Sequence, residues 1–101
     1  MRQHDSEQRD RPVRLHATVH GRVQAVGFRY FVLARARGRG IRGWVRNRGD
    51  GSVECVAEGP RLRLERLLGE LREGPRSADV SDVEVEWQPA RGDLPEFRVA
   101  Y

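Results

Sequence analysis

The chain contains no lysine, and all nineteen of its basic residues are arginine. That excludes a Walker-type phosphate loop, whose lysine must reach the terminal phosphates of a nucleotide. A single cysteine, Cys55, excludes an intramolecular disulfide, and no cluster of Cys and His at ligand spacing offers a structural zinc site. Aromatic residues make up only 7% of the chain, and no apolar run approaches the roughly twenty residues of a membrane-spanning helix. The opening stretch MRQHDSEQRDRP lacks the apolar centre of a signal peptide. The expectation left by these absences is a cytoplasmic protein without a structural zinc site, a membrane-spanning segment or redox chemistry.

What remains has room for one domain, because 101 residues bury a single small core. Apolar residues are 38% and charged residues 34%, with a mean hydropathy of −0.73, so that core must be economical. A pI near 10.5 invites a nucleic-acid reading. Fifteen carboxylates are interspersed with the arginines, however, and the net charge is only +4, which describes a solvated surface of mixed sign. Residues 1–12 show no periodicity and read as a flexible N-terminal extension, leaving residues 13–101 as the folded domain.

Residues 13–20 alternate, with Val13, Leu15, Ala17 and Val19 on one face and Arg14, His16, Thr18 and His20 on the other, which predicts a half-buried strand. A glycine-bounded loop over residues 21–27 follows. Phe28, Val32 and Ala36 at fourfold spacing then predict a helix that stops at Gly38 and Gly40. Two alternating runs, Ile41-Gly43-Val45 and Val53-Cys55-Ala57, flank the turn residues Arg48-Gly49-Asp50-Gly51 and predict a β-hairpin. Leu64, Leu67, Leu68 and Leu71 form one helical stripe between Gly59-Pro60 and Gly74-Pro75. Val80, Val83, Val85 and Trp87 mark a fourth strand, and Phe97, Val99 and Tyr101 a short final one. Trp87 and Tyr101 are expected to serve core or sheet packing, and His16 and His20 to be solvated on the open sheet face.

The order βαββαβ with a terminal strand predicts an α+β fold, a two-layer ferredoxin-like sandwich with an antiparallel sheet and two helices on one face. That topology has the first two strands pointing the same way, so the loop over residues 21–27 and the hairpin that begins at Asn47 become neighbours. Asn47 continues the series Ile41, Gly43, Val45, and its side chain is therefore expected on the helix-covered side, toward the start of the first helix.

The segment Gly21-Arg22-Val23-Gln24-Ala25-Val26-Gly27-Phe28-Arg29 leaves a strand and enters a helix. Such a junction gathers backbone N–H groups in a concave nest at the positive end of a helix dipole and favours a phosphate-sized anion. Arg29 stands in the first helical turn, where a cation opposes the dipole by roughly 0.3–1 kcal/mol. A bound anion would offset both charges, and the planar guanidinium suits two phosphate oxygens. An arginine in an ordinary surface ion pair is the alternative that the loop by itself leaves open.

This segment, together with Gly43-Trp44-Val45-Arg46-Asn47-Arg48-Gly49-Asp50-Gly51-Ser52-Val53-Glu54, resembles the two signature blocks of the acylphosphatase family. The similarity continues through Gly59-Pro60, the Pro75-Ala78-Val80-Val83 series and Phe97-Arg98-Val99-Ala100-Tyr101. The resemblance implies hydrolysis of a small-molecule acyl phosphate to carboxylate and inorganic phosphate, with phosphate able to inhibit as product and with no metal or cofactor. It implies that Arg29 and the backbone N–H groups of Arg22, Val23, Gln24, Ala25, Val26 and Gly27 bind the phosphoryl oxygens, while Asn47 positions the attacking water. A monomer without nucleic-acid partners is the default expectation. The family has glycine where this chain has Ala25, so a left-handed backbone there would cost about 1–2 kcal/mol. It has an apolar residue where this chain has Arg39, whose stem is expected over the core with its charge in water.

Two other functions compete. Cys55 and Arg61 match the C-x5-R spacing of cysteine-dependent phosphatases, but Cys55 shares a face with Val53 and Ala57, which predicts a buried neutral thiol. A ferredoxin-like RNA-binding module would carry stacking aromatics on the strand over residues 51–58, where Glu54, Val56 and Glu58 stand instead. Asp50 is read as hairpin chemistry rather than as a base.

Overall fold

The computed structural model describes residues 11–101, so the extension expected for residues 1–12 lies outside the described residues except for Arg11 and Pro12. The elements are β1 (Pro12–Arg22), α1 (Phe28–Ala36), β2 (Arg42–Asn47), β3 (Val53–Pro60), α2 (Arg61–Glu73), β4 (Asp79–Pro89) and β5 (Arg98–Val99). They form one five-stranded sheet in the order β4-β1-β3-β2-β5 with both helices on one face, the expected two-layer α+β sandwich.

Alternation in the sequence becomes rungs in the sheet. Leu15 stands opposite Ala57 and Trp87, Ala17 opposite Cys55 and Val85, and Val19 opposite Val53 and Val83. Phe28, Val32 and Ala36 of α1 and the leucine stripe of α2 are buried above these rungs. Each of those leucines contributes roughly 1.5–3 kcal/mol relative to an exposed position, which explains why a helix rich in arginine is held in place at all.

The opposite face is polar and internally paired. The Arg14 guanidinium donates to Glu58 at 2.6 Å and to Asp93 at 2.5 Å, and Glu58 also accepts the backbone N–H groups of Arg91 and Gly92. Glu54 is held between His16 at 2.6 Å and Arg46 at 2.8 Å, and Arg46 also stacks on Trp44. His20 pairs with Glu84.

Four details differ from the sequence reading. β1 continues to Arg22, because a bulge between His20 and Gly21 lets the chain keep pairing with β4. Gly21 has φ 122°, and a Cβ there would collide with the Asp79 carbonyl, so only glycine permits this extension. β5, the short final strand, joins β2 in parallel, so the sheet is mixed rather than wholly antiparallel. Arg39 does not simply reach water: its fork spans Glu70 with bonds of 2.6 and 2.9 Å. Tyr101 does not pack in the core but is 89% exposed.

Candidate active site

β1 and β2 both run antiparallel to β3 and therefore parallel to each other, so their C-terminal ends emerge on one rim. Residues 23–27 span from β1 to α1 on that rim. Val23 anchors the loop in the core at 1% exposure, and Val26 packs against the same cluster. Two residues give the backbone its left-handed turns: Ala25 at φ 61° and Gly27 at φ 77°. Gly27 occupies the N-cap of α1 without a side-chain cap, and the first turn of the helix carries no carboxylate. Among the described residues no backbone N–H of residues 23–27 donates to a protein acceptor. The loop therefore leaves its backbone donors unpaired at the positive end of the helix dipole, an arrangement that favours an anion.

Arg22 closes β1 opposite Asp79 and is exposed at the edge of this loop rather than within it. Gln24 has a role that its sequence position did not announce. Its side-chain amide donates to the Arg48 carbonyl at 2.7 Å and to the Ser52 carbonyl at 2.9 Å, tying the loop to the β2–β3 turn. Ser77 adds a second tie by donating to the Val26 carbonyl at 3.1 Å.

Asn47 ends β2 opposite the fully buried Val53 and is half-buried on the helix-covered face, as its parity requires. Its neighbours connect it to both parts of the loop–helix junction. One residue beyond it, the Arg48 carbonyl accepts Gln24 of the loop. Two residues before it, the Val45 carbonyl accepts the N–H of Ala100 at 2.8 Å, and the adjacent Tyr101 ring lies 5.2 Å from the Arg29 guanidinium carbon. Arg29 is half-buried and stacked on that ring, which differs from the ordinary surface ion pair left open by the sequence. The contact of Tyr101 with Arg29 and the ties made by the Gln24 side chain are thus features that periodicity alone missed, since both join chain segments far apart in sequence.

The turn after Asn47 is held by Asp50, which accepts both the N–H of Ser52 at 2.9 Å and its hydroxyl at 2.6 Å. The Ser52 hydroxyl and N–H, aided by Arg48, keep the Asp50 carboxyl below the usual carboxylate range. A carboxylate so engaged suits turn chemistry rather than proton abstraction. Cys55 is fully buried, and burial pushes its thiol up to about 12, which removes the thiolate that a cysteine phosphatase requires. Arg61 points elsewhere, donating to Glu65 and stacking on Trp87 at 4.2 Å.

Comparison with known proteins identifies the family. The family model described as acylphosphatase matches residues 15–99, which includes the whole loop, Arg29 and Asn47. The chain belongs to the acylphosphatase family. A curated acylphosphatase from Nocardia farcinica is 55% identical over 86 residues, covering 85% of this chain and 86% of the relative. One from Salinibacter ruber is 50% identical, covering 85% and 90%. The crystal structure of acylphosphatase from Bacillus subtilis superposes with a TM-score of 0.84 at 38% identity, covering 88% of this chain and 99% of that one. The chain is accordingly an enzyme that hydrolyses small-molecule acyl phosphates, and the RNA-binding alternative is not favoured. The open sheet face agrees with this, since Glu54 and Glu58 occupy it and its arginines are already paired. Among the described residues no helix is long and apolar enough to cross a membrane.

Proposed function

We propose that the backbone N–H groups of residues 23–27, with Arg22 at their edge, and the Arg29 guanidinium hold the phosphoryl group, while the Asn47 carboxamide orients the attacking water. The observation that carries this reading is the double tie of β2 to the loop–helix junction, through Gln24 to Arg48 on one side and through Ala100 and Tyr101 to Arg29 on the other.

The chemistry follows from the charge distribution. Water oxygen attacks phosphorus, the bond from phosphorus to the acyl oxygen breaks, and its electron pair leaves on a carboxylate. That leaving group is stable, so protonating it is unnecessary, and a phosphoryl oxygen takes the proton from water. What remains for the protein is alignment of the reactants and stabilisation of negative charge on the phosphoryl oxygens. Fixed N–H groups and a guanidinium supply the second, and a carboxamide that can donate and accept supplies the first. Our reading assigns no step to a metal or cofactor.

Inorganic phosphate is the product and, by occupying the same nest, a competitive inhibitor. We further read residues 13–101 as the catalytic domain, acting as a cytoplasmic monomer without a nucleic-acid partner.

Hydrolysis of acetyl phosphate by the wild type, Arg29→Ala and Asn47→Ala tests these roles. Each substitution is expected to lower the rate by on the order of 100- to 1,000-fold with the fold retained by circular dichroism. Phosphate inhibition should weaken mainly in Arg29→Ala. Substantial turnover by both variants would refute the assignment.

A further inference from the structure

Two basic stretches of the chain meet at the end of α1 remote from Arg29, about 12 Å along the helix from it. Arg35-Ala36-Arg37-Gly38-Arg39-Gly40-Ile41-Arg42 carries four arginines and no carboxylate. α2 opens with Arg61 and Arg63 and continues to Arg66, with no acidic residue in its first turn. The fold presses the two stretches together: Arg63 Nη1 donates to the Arg39 carbonyl at 2.7 Å, and a Cβ on Gly40 would come within 2.8 Å of that same nitrogen. A hollow of about 320 Å³ lies between them, lined by Gly38, Arg39, Gly40, Arg63 and Arg66 and by no carboxylate. It shares Gly38 and Gly40 with a second hollow of about 530 Å³, which Arg37 and Arg42 border together with Glu96.

Gathering like charges is unfavourable, and the protein offsets only part of the repulsion. Glu70 pairs with Arg39 through both oxygens, lies 4.0 Å from Arg35 and acts on Arg66 at longer range. Arg63 and Arg42 direct donors to the Arg39 and Leu94 carbonyls, which carry no formal charge. Arg37 and Arg66 are exposed and, among the described residues, make no hydrogen bond or ion pair of their own. The N–H groups of Gly38 and Gly40 likewise donate to no protein acceptor among the described residues. Guanidinium forks and free backbone N–H groups are the donors that phosphate oxygens accept. Five arginines spread over two adjoining hollows exceed what one phosphate ion can engage and match a short row of them. We propose that this end of the molecule binds a short phosphate chain, as free tripolyphosphate or as the triphosphate of a nucleotide, through Arg37, Arg63 and Arg66 around Gly38 and Gly40.

This site stands apart from the role of Arg29, and Arg29→Ala keeps the catalytic loop out of the measurement. Tripolyphosphate, metal-free ATP and inorganic phosphate are titrated at about 0.15 M salt, where long-range attraction is screened beyond about 8 Å, and followed by amide NMR and calorimetry. Tripolyphosphate should shift the amides of Gly38, Gly40 and Arg63 to the same extent in the wild type and in Arg29→Ala, and should bind at least about tenfold more tightly than inorganic phosphate there. Arg37→Gln and Arg66→Gln, both at exposed positions, should each weaken it by about five- to tenfold while leaving acetyl phosphate hydrolysis unchanged. Arg72→Gln removes the same charge from the other end of α2 and should change the affinity by less than about twofold. Equal affinity for ATP and tripolyphosphate would show that the site takes the phosphate chain from any source, and tighter binding of ATP would show that it takes a nucleotide. Absence of shifts at Gly38 and Gly40 overturns the proposal. So does an equal loss in Arg72→Gln, which would reduce the binding to net charge, or inorganic phosphate binding as tightly as the chain.

Discussion

The side-chain amide of Gln24 donates to the Arg48 carbonyl at 2.7 Å, joining the anion loop to the residue immediately after Asn47. The same amide reaches Ser52 at 2.9 Å, so one side chain bridges both ends of the turn between β2 and β3. This bond pair fixes how far the loop stands from the residue that handles water in our reading. Gln24→Ala removes both bonds and leaves two carbonyls to water. A loss of about 1–2 kcal/mol in stability is expected by urea denaturation. Activity should fall further than stability explains, by about tenfold or more in kcat, because misplacement of the reactants is felt in the rate. An unchanged kcat in Gln24→Ala would show that the tie does not set the catalytic geometry.

Ala25 adopts φ 61°, a region that disfavours residues bearing a Cβ. The left-handed conformation costs alanine about 1–2 kcal/mol, while glycine adds roughly 0.4–1 kcal/mol of entropy to the unfolded chain. The difference favours Ala25→Gly by a few tenths to about 1 kcal/mol, a rise in Tm of about 2–6 °C. Calorimetry of the pair measures it. A lower Tm in the glycine variant would mean that the loop carries no strain at this position.

Glu58 is, with Glu54, an acid-sensitive point of the open sheet face. Burial works to raise its carboxyl, but the N–H of Arg91, the Arg14 guanidinium and the N–H of Gly92 outweigh burial and hold it below the ordinary carboxylate range. A depressed folded-state pKa contributes stability that is present above the unfolded value, about 4.3 for glutamate. That contribution is lost as pH falls below it and through the folded-state value. Stability measured from pH 6 downward should therefore decline in the wild type below about pH 4.5, where the unfolded chain begins to bind protons. Glu58→Gln should be less stable at pH 6 by about 3 kcal/mol, since Arg14 is left with only the exposed Asp93, and should show a shallower acid limb. Identical acid limbs would assign the acid sensitivity to other carboxylates.

Cys55 has no catalytic part in this account. Its buried thiol, pushed up to about 12, should resist alkylation in the native state and react only after unfolding. Cys55→Ala should keep kcat and KM for acetyl phosphate within about twofold while losing roughly 1 kcal/mol of stability from the small cavity. Rapid native-state alkylation with loss of activity would contradict the burial and reopen the thiol reading.

Much of this arrangement was legible in the residues themselves. The alternation from Val13 to Val19, the two hairpin runs and the leucine stripe each have a strong period, and each became a buried face. Asn47 was placed on the correct side because strand parity extends one step beyond the last hydrophobic residue. Gly21 misled, since a glycine after an alternating run reads as a stop, yet its positive φ accommodates a bulge and lets β1 continue to Arg22. The partners of Gln24, Arg39 and Tyr101 were not legible, because each meets a residue at least 24 positions away whose approach depends on the completed sheet and helix layer. Tyr101 in particular shares the alternation of Phe97 and Val99 but lies beyond the last paired residue of β5, where strand parity no longer governs the side chain.

The central claim is that the N–H groups of residues 23–27, the Arg29 side chain and the Asn47 carboxamide meet one phosphate-sized anion. Titration of the isotope-labelled protein with inorganic phosphate, followed by amide NMR, tests it directly. The backbone amides of residues 23–27 and the Asn47 side-chain amide should shift together along one saturation curve, and Arg29→Ala should weaken that curve for every one of them. Shifts confined to another surface, or loop and Asn47 signals that saturate at unrelated phosphate concentrations, would contradict the account.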